Sequence, residues 1–391
     1  MIAYMVTKWK RNGISPCLDY PSPMKTFIAS LLALLAVTPQ RTLDEFFNDF
    51  TARWVRNNPN LAVSSRYTGD ERDRLEQQLA PETMEYKKSR ILMVGYGPPS
   101  TGFSLALKRI GDRLKARLGD EVDVKYVYNV LDLGYREDDI NWLVEEGVLT
   151  LGYQSSGYFS ERVPDLGVAD LPFLFPDVKT ARAAIDGRLG QALAAKLEAG
   201  MNCRVLGYFE AAFTHFSNRL RPIRTPADMK GMRMRVRPSK VQARTFELLG
   251  AEPKAMDLSE FIEAVKAGSV DAQENAFANT VTYGVHKFHR FHSATNQCYV
   301  SRPVFVHRPS FDAWPQRVQE EMRAAAQDAV IFQRELHVKE EDDAMAAIRM
   351  EGGEILELTA QEREAFVRAV SPIYGEARSE YGRDLLGLVG L

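Results

Sequence analysis

Short apolar runs alternate with stretches of helical period along most of the chain. "ILMVGY" (91–96), "VDVKYVY" (122–128), "VLTLGY" (148–153) and "CRVLGYF" (203–209) are rich in β-branched and aromatic residues and read as strands. The text between them predicts helices over 103–118, 138–146 and 178–199, stopped at Gly119, Gly147 and Gly200, where glycine accepts the left-handed cap. A second set begins at Thr225 and Pro226, a good cap and first helical residue. "MRMRVR" (232–237) then alternates with the period of a strand, and "KVQARTFELLG" (240–250) is a helix with its glycine stop. Asp257 and Glu260 have capping-box spacing at the head of a helix that ends at Gly268, and the strand "SVDAQEN" (269–275) follows. "YVSRPVFVH" (299–307) reads as a strand, 315–350 as one very long helix, and Thr359 with Glu362 opens another. This alternation predicts α/β layering with mostly parallel sheets, in two lobes without a flexible linker, and a ligand cleft between the lobes.

Length and composition support this and remove some function classes. The 391 residues, 45% of them hydrophobic, can bury a substantial core and provide for two domains. The 50 basic and 52 acidic residues nearly cancel, which speaks against nucleic acid as a partner. Cys17, Cys203 and Cys298 are too far apart for a CxxC motif, and Cys203 reads as a buried thiol in a strand. "MKTFIASLLALLAV" (24–37) has one lysine and an apolar run too short to span a bilayer, the pattern of a signal peptide with Met24 as the start; a core helix is the other reading. Export to the periplasm is the expectation. Residues 1–41 are then an upstream extension plus this segment. Residues 42–89 are charged helical text without strand signals, an accessory segment or a gene-model artefact.

Local charge is more informative than net charge. Within 219–244 nine basic residues meet a single acid, Asp228, and Arg233, Arg235 and Arg237 fall on alternate positions between Met232, Met234 and Val236. Period two puts the arginines on one face and the apolar residues on the other. The apolar face must be buried, which disfavours a nucleic-acid patch. One guanidinium, held by a strand, can instead meet a ligand carboxylate through two parallel hydrogen bonds.

From residue 91 to about 381 the chain resembles the extracytoplasmic solute-binding proteins of TRAP transporters, the dicarboxylate-binding family. The resemblance rests on "VADLPFLF", "RVLGYFEAAFTHFSNRLRPIRTPADMKGMRMRV", "FELLGAEPKAMDLSEFIEAVKAGSVDAQENAFAN" and "FDAWPQRVQEEMRAAAQDAVIFQREL", in that order. It implies a two-lobed fold of the type II periplasmic-binding-protein kind, with mixed, mostly parallel sheets, a hinge of crossing strands and a long C-terminal helix. Lobe I would comprise 90–210 and 301–391, and lobe II 211–300. It also implies a small carboxylate ligand, membrane subunits of a transporter as partners, a monomer, and neither cofactor nor metal. The arginine of the family's "KxRV" falls on Arg235, which would bind the carboxylate, with Asn275 of "QEN" as the second polar contact and Gln273 beside it. Many relatives carry an arginine where this chain has Thr214, so one cationic contact is missing. Either the ligand is a monocarboxylate or Arg237 supplies the charge.

Further cleft candidates each have a structural alternative. Thr101, after "GYGPPS", offers a hydroxyl to a ligand or caps the next helix; Pro98 and Pro99 lack the N–H groups of a phosphate loop. Gln154 and Ser155 resemble the family's ligand-lining loop, or form a polar turn. Phe173 packs on the ligand's carbon chain or in the core, and Glu210 accepts ligand hydroxyls or forms a salt bridge. His286, His289 and His292 are spaced by three without a carboxylate or cysteine at a matching interval, which argues against zinc. No GxSxG or Cys/His arrangement supports the rival reading, a small-acid hydrolase; a ligand-sensing module is the third.

Overall fold

Helices and strands follow the predicted alternation in a computed structural model that describes residues 90–391. The signal-peptide-like segment, Cys17 and the helical text of 42–89 lie outside the described residues. Strands β1 (Arg90–Val94), β2 (Asp123–Val127), β3 (Leu151–Tyr153) and β4 (Cys203–Phe213) come first. β5 (His215–Asn218), β6 (Arg233–Val236), β7 (Glu252–Ala255), β8 (Ala272–Asn275) and β9 (Phe291–Ala294) follow, then β10 (Tyr299–His307) and β11 (Glu354–Glu357). They form a five-stranded sheet in the order β2-β1-β3-β10-β4 and a six-stranded sheet in the order β11-β9-β5-β8-β6-β7. The fold is α/β and two-lobed, one sheet to each lobe.

Local chemistry accounts for the element ends. Thr101 caps the helix Gly102–Leu118 by accepting from the Ser104 N–H at 3.3 Å, and Gly119 ends it at φ 56°. Asp257 and Glu260 form their capping box on the helix Leu258–Ala267, and Gly268 closes it in the left-handed region at φ 66°.

Parallel pairing is less dominant than the βα alternation predicts. Five of the nine strand pairings are parallel, and all four antiparallel ones involve β5 or β10. These are the strands at which the chain crosses between sheets, from β4 into β5 and from β9 into β10, and a direct crossing reverses direction without a helix. The crossings are bonded to each other: Thr214 N–H donates to Cys298 O at 2.8 Å and Gln297 N–H to Thr214 O at 3.0 Å. Ala212 (φ 44°), near the end of β4, and Asn296 (φ 48°), between β9 and β10, occupy the left-handed region.

The core divides with the sheets. Ile91, Leu107, Phe209, Phe305 and Met322 are among the buried residues around the first, and Phe216, Met232, Met234, Val236 and Phe246 around the second. Within 301–391, one stretch reaches the second sheet. β11 pairs with β9 of the second sheet, and Phe366 of the helix Ala360–Val370 packs on Phe216 with ring centroids 5.8 Å apart. The helix Gln316–Met350 carries the chain there: 35 residues rise about 52 Å, from β4 of the first sheet to β11 of the second.

Candidate functional site

The three alternating arginines of β6 and its end meet three different surroundings. Arg233, at the outer end, donates from Nε and Nη2 to Asp271 at 2.9 and 2.7 Å, and Arg219 joins the same carboxylate. Hydrogen bonds from the two arginines hold Asp271 well below the usual carboxylate range. Arg237, past the inner end, is 7% exposed, with Nε 3.0 Å from Glu274 Oε1 and Nη2 3.9 Å from Asp170. Burial works against its charge, but Glu274 and Asp170 outweigh burial, so Arg237 is protonated more firmly than usual.

Arg235, between them, is 3% exposed, and no carboxylate comes within hydrogen-bonding distance of it. Its Nε and Nη2 donate to Met256 O at 3.2 and 3.1 Å, Tyr158 Oη is 3.5 Å away, and Glu137 Oε1 is 3.8 Å away. The guanidinium lies 4.8 Å from the Phe261 ring centroid. Burial lowers its affinity for the proton, which Glu137 and Glu274 only partly restore. Burial also pushes Glu137 up to about 7, against the pull of Arg235. Tyr158 Oη donates to the Glu137 carboxylate.

Arg235 and Glu137 face a cavity between the two sheets. Arg235, Arg237, Glu274 and Asn275 supply one wall from the second lobe; Tyr96, Glu137, Ser155, Tyr158 and Arg302 supply the other from the first. Next in sequence to the lining residues Leu258 and Glu137, Asp257 and Arg136 form an ion pair of 2.6 Å across the lobes. The cavity volume is about 30 Å³, room for about two waters where one needs about 10–15 Å³. An organic acid enters only if the walls separate.

The remaining expected site residues divide into two groups. Asn275 and Ser155 reach the cavity; Asn275 Oδ1 accepts from Asn279 Nδ2 at 3.0 Å, and its own amide makes one long contact of 3.4 Å to Gln273. Gln273, Gln154, Thr214, Glu210, Phe173 and Thr101 are not part of its lining. Gln273 donates instead to Ser217 Oγ and Thr280 Oγ1, at 3.2 and 3.0 Å. Gln154 Nε2 holds the Glu137 carbonyl at 2.7 Å and so acts on the wall from behind. Thr214 sits in the crossing with its hydroxyl on Gln297 Oε1 at 3.2 Å. Glu210 is bound by Arg182, Nε at 2.9 Å, and by the Tyr299 hydroxyl. Phe173 packs with the second core under Arg363, 5.1 Å from its ring centroid, and Thr101 is a helix cap.

The histidines are internal. His289 Nδ1 meets Ser217 Oγ at 2.9 Å, His292 Nε2 meets His289 O at 2.9 Å, and His286 Nε2 is 3.3 Å from Glu351. Burial lowers His289 to about 3 and His292 to about 4. Among the described residues no group of three or more His, Cys, Asp or Glu could hold a metal ion, and no helix is long and apolar enough to cross a membrane. Cys203 is buried, its thiol pushed up to about 12 by desolvation.

Sequence reasoning missed Glu137 and Arg302. Arg302 carried a usable signal, a lone charge within the apolar strand "YVSRPVFVH". Glu137 carried none, since "YREDDINW" reads as a solvated loop.

The profile of the family DctP, bacterial extracellular solute-binding protein, family 7, matches residues 94–380. The 2,3-diketo-L-gulonate-binding periplasmic protein YiaO of Escherichia coli K12 is 28% identical over 280 residues, 71% of this chain and 84% of YiaO. The C4-dicarboxylate-binding periplasmic protein DctP of Rhodobacter capsulatus is 29% identical over 228 residues, 58% of this chain and 68% of that protein. A solved TRAP periplasmic solute binding protein from Roseobacter denitrificans, with bound beta-D-glucuronate, has a TM-score of 0.72 at 25% identity, covering 77% of this chain and 99% of the other.

Proposed function

The chain belongs to family 7 of the bacterial extracellular solute-binding proteins, the binding components of TRAP transporters rather than enzymes, and from that premise we propose that it captures a small organic acid outside the cytoplasm, as a monomer, and delivers it to the membrane subunits of such a transporter. Arg235 clamps the carboxylate, and Asn275 adds a neutral donor beside it. The observation that carries this is the contrast along β6: Arg233 and Arg237 have carboxylates at 2.7 and 3.0 Å, and the buried Arg235 has its nearest at 3.8 Å. A guanidinium taken out of water needs a partner, and a ligand carboxylate supplies the two parallel bonds that fit its fork.

Closure follows from the same geometry. The acid enters an open form, Arg235 engages it from the second lobe, and the first-lobe wall carrying Glu137 and Tyr158 folds over it by bending at the crossings. Excluding water strengthens the ion pair. Micromolar affinity needs about 8 kcal/mol, which one desolvated bidentate pair with modest apolar contact supplies.

Thermal-shift screening against small mono- and dicarboxylates identifies a ligand, because an acid that binds only the folded form raises Tm by mass action. With that ligand, Arg235→Ala weakens binding by about a hundredfold or more in calorimetry, and Arg235→Lys, which keeps charge but loses the fork, lies between. Unchanged affinity in Arg235→Ala would end the clamp model.

A further inference from the structure

The cavity contains a third guanidinium. Along β10, period two puts Val300 and Arg302 on the face lining the cavity, while Ser301 turns the other way to bond Ser156 Oγ at 2.8 Å. Arg302 is 5% exposed, with its guanidinium carbon 4.2 Å from the ring centroid of Phe103 and 5.3 Å from that of Tyr96. Aromatic faces hold and orient a cation there, but they do not take its hydrogen bonds. Nε and Nη1 of Arg302 are fully enclosed and have no hydrogen-bond partner among the described residues. No carboxylate among those residues forms an ion pair with it. The charge of Glu137 reaches it only at longer range, and Glu137 also faces Arg235.

Counting partners shows what is left over. Arg237 is matched by Glu274 and Asp170. Arg235 and Arg302 share the single carboxylate of Glu137, Arg235 on the second lobe and Arg302 on the first. We infer that Arg302 is the second anion-holding side chain of the cavity, that it reads a second acidic group on the ligand, and that it takes the part the sequence offered to Arg237. This rests on Arg235 holding the first carboxylate. An acid with two anionic ends then spans two guanidinium groups on opposite walls, and the second pairing completes only as the lobes close.

The test uses matched probes that differ in one carboxyl group: succinate and butyrate, malate and 3-hydroxybutyrate, glucarate and gluconate. Affinities are measured by calorimetry for the wild type, Arg302→Gln, Arg302→Lys and Arg235→Ala. The wild type is expected to bind the dicarboxylate of at least one pair about tenfold or more tighter than its partner. Arg302→Gln should bring that ratio to about one while changing the monocarboxylate affinity less than about threefold. Arg302→Lys should retain part of the ratio, and Arg235→Ala should weaken both members. A shared loss of fold does not produce this pattern, and removing an unmatched buried charge leaves the apo Tm of Arg302→Gln at or above that of the wild type. A wild type without preference, or a ratio that survives Arg302→Gln, overturns the assignment while leaving the clamp at Arg235 standing. Equal weakening of both members by Arg302→Gln moves Arg302 to the first carboxylate and overturns it as well. If no acid binds the wild type, the organic-acid reading itself fails and takes this inference with it.

Discussion

Two of the buried clusters of charge among the described residues differ in how completely they are paired. Around Glu210, itself 0% exposed, Arg182 Nε donates at 2.9 Å, the Tyr299 hydroxyl donates as well, and Arg334 Nε stands at 3.6 Å. Gln333 bonds the backbone of the same residue on both sides, at 3.0 and 2.8 Å. Around Arg235 and Arg302 the nearest carboxylate is 3.8 Å from one and forms no ion pair with the other. A buried charge costs several kcal/mol of hydration wherever it sits. The first cluster offsets that cost internally and serves the fold. The second leaves it open, and the proposed ligand carboxylate would close it.

The sharpest break in this contrast is Glu210→Ala, which takes the acceptor from Arg182 and the Tyr299 hydroxyl, while Arg334 keeps its pair with Asp186 at 2.6 Å. It should lower the unfolding free energy by about 4 kcal/mol, seen as a lower denaturant midpoint, with the ligand affinity of the folded protein unchanged.

Next in size is a pH effect from Glu137. Its carboxyl titrates at 4.5 when free of its surroundings and at about 7 in the fold, so between those values the folded chain keeps a proton that the unfolded chain has lost. Stability from this group is therefore highest below about 4.5, falls as pH rises towards 7 and is flat above, by up to about 3 kcal/mol in all. Glu137→Gln should remove that slope in unfolding measured from pH 5 to 8. The buried histidines act in the opposite sense: His215 and His289 at about 3 and His292 at about 4 lose stability as pH falls below about 6.5. Their contribution cancels when the two proteins are subtracted. The groups facing Glu137 are Arg235, Asp257, Arg302 and Asp138. A protonated Glu137 no longer competes for Arg235, so carboxylate affinity should also tighten from pH 8 to 6.

Smaller again, Arg235→Met keeps the volume and removes the under-paired charge. It should raise apo stability by about 1 kcal/mol while abolishing binding, the reverse of Glu210→Ala. Arg233→Ala should do least: its partner Asp271 is shared with Arg219, and ligand affinity should stay within about twofold of wild type.

Much of the architecture was readable in the amino-acid string. Period two along 232–237 puts three arginines opposite Met232, Met234 and Val236, all of which are 0% exposed. The capping boxes at Asp257 and Thr359 and the glycine stops at Gly119 and Gly268 stand where the pattern placed them. These features depend on backbone geometry and on partners a few residues away, so a local reading reaches them.

The site was readable only in part. Ser155, Arg235, Arg237 and Asn275 line the cavity, while Gln154, Gln273, Thr214, Glu210, Phe173 and Thr101 act behind it or elsewhere. What separates Arg235 from Arg233 and Arg237 is which carboxylates come near, and those belong to residues 137, 271 and 274 on other segments. The strand crossings and the return of β11 to the second sheet set those distances. Periodicity says which way a side chain points from its own strand; the charge it meets there is contributed by chain folded in from far along the sequence, and only the assembled fold brings the two within a few ångströms.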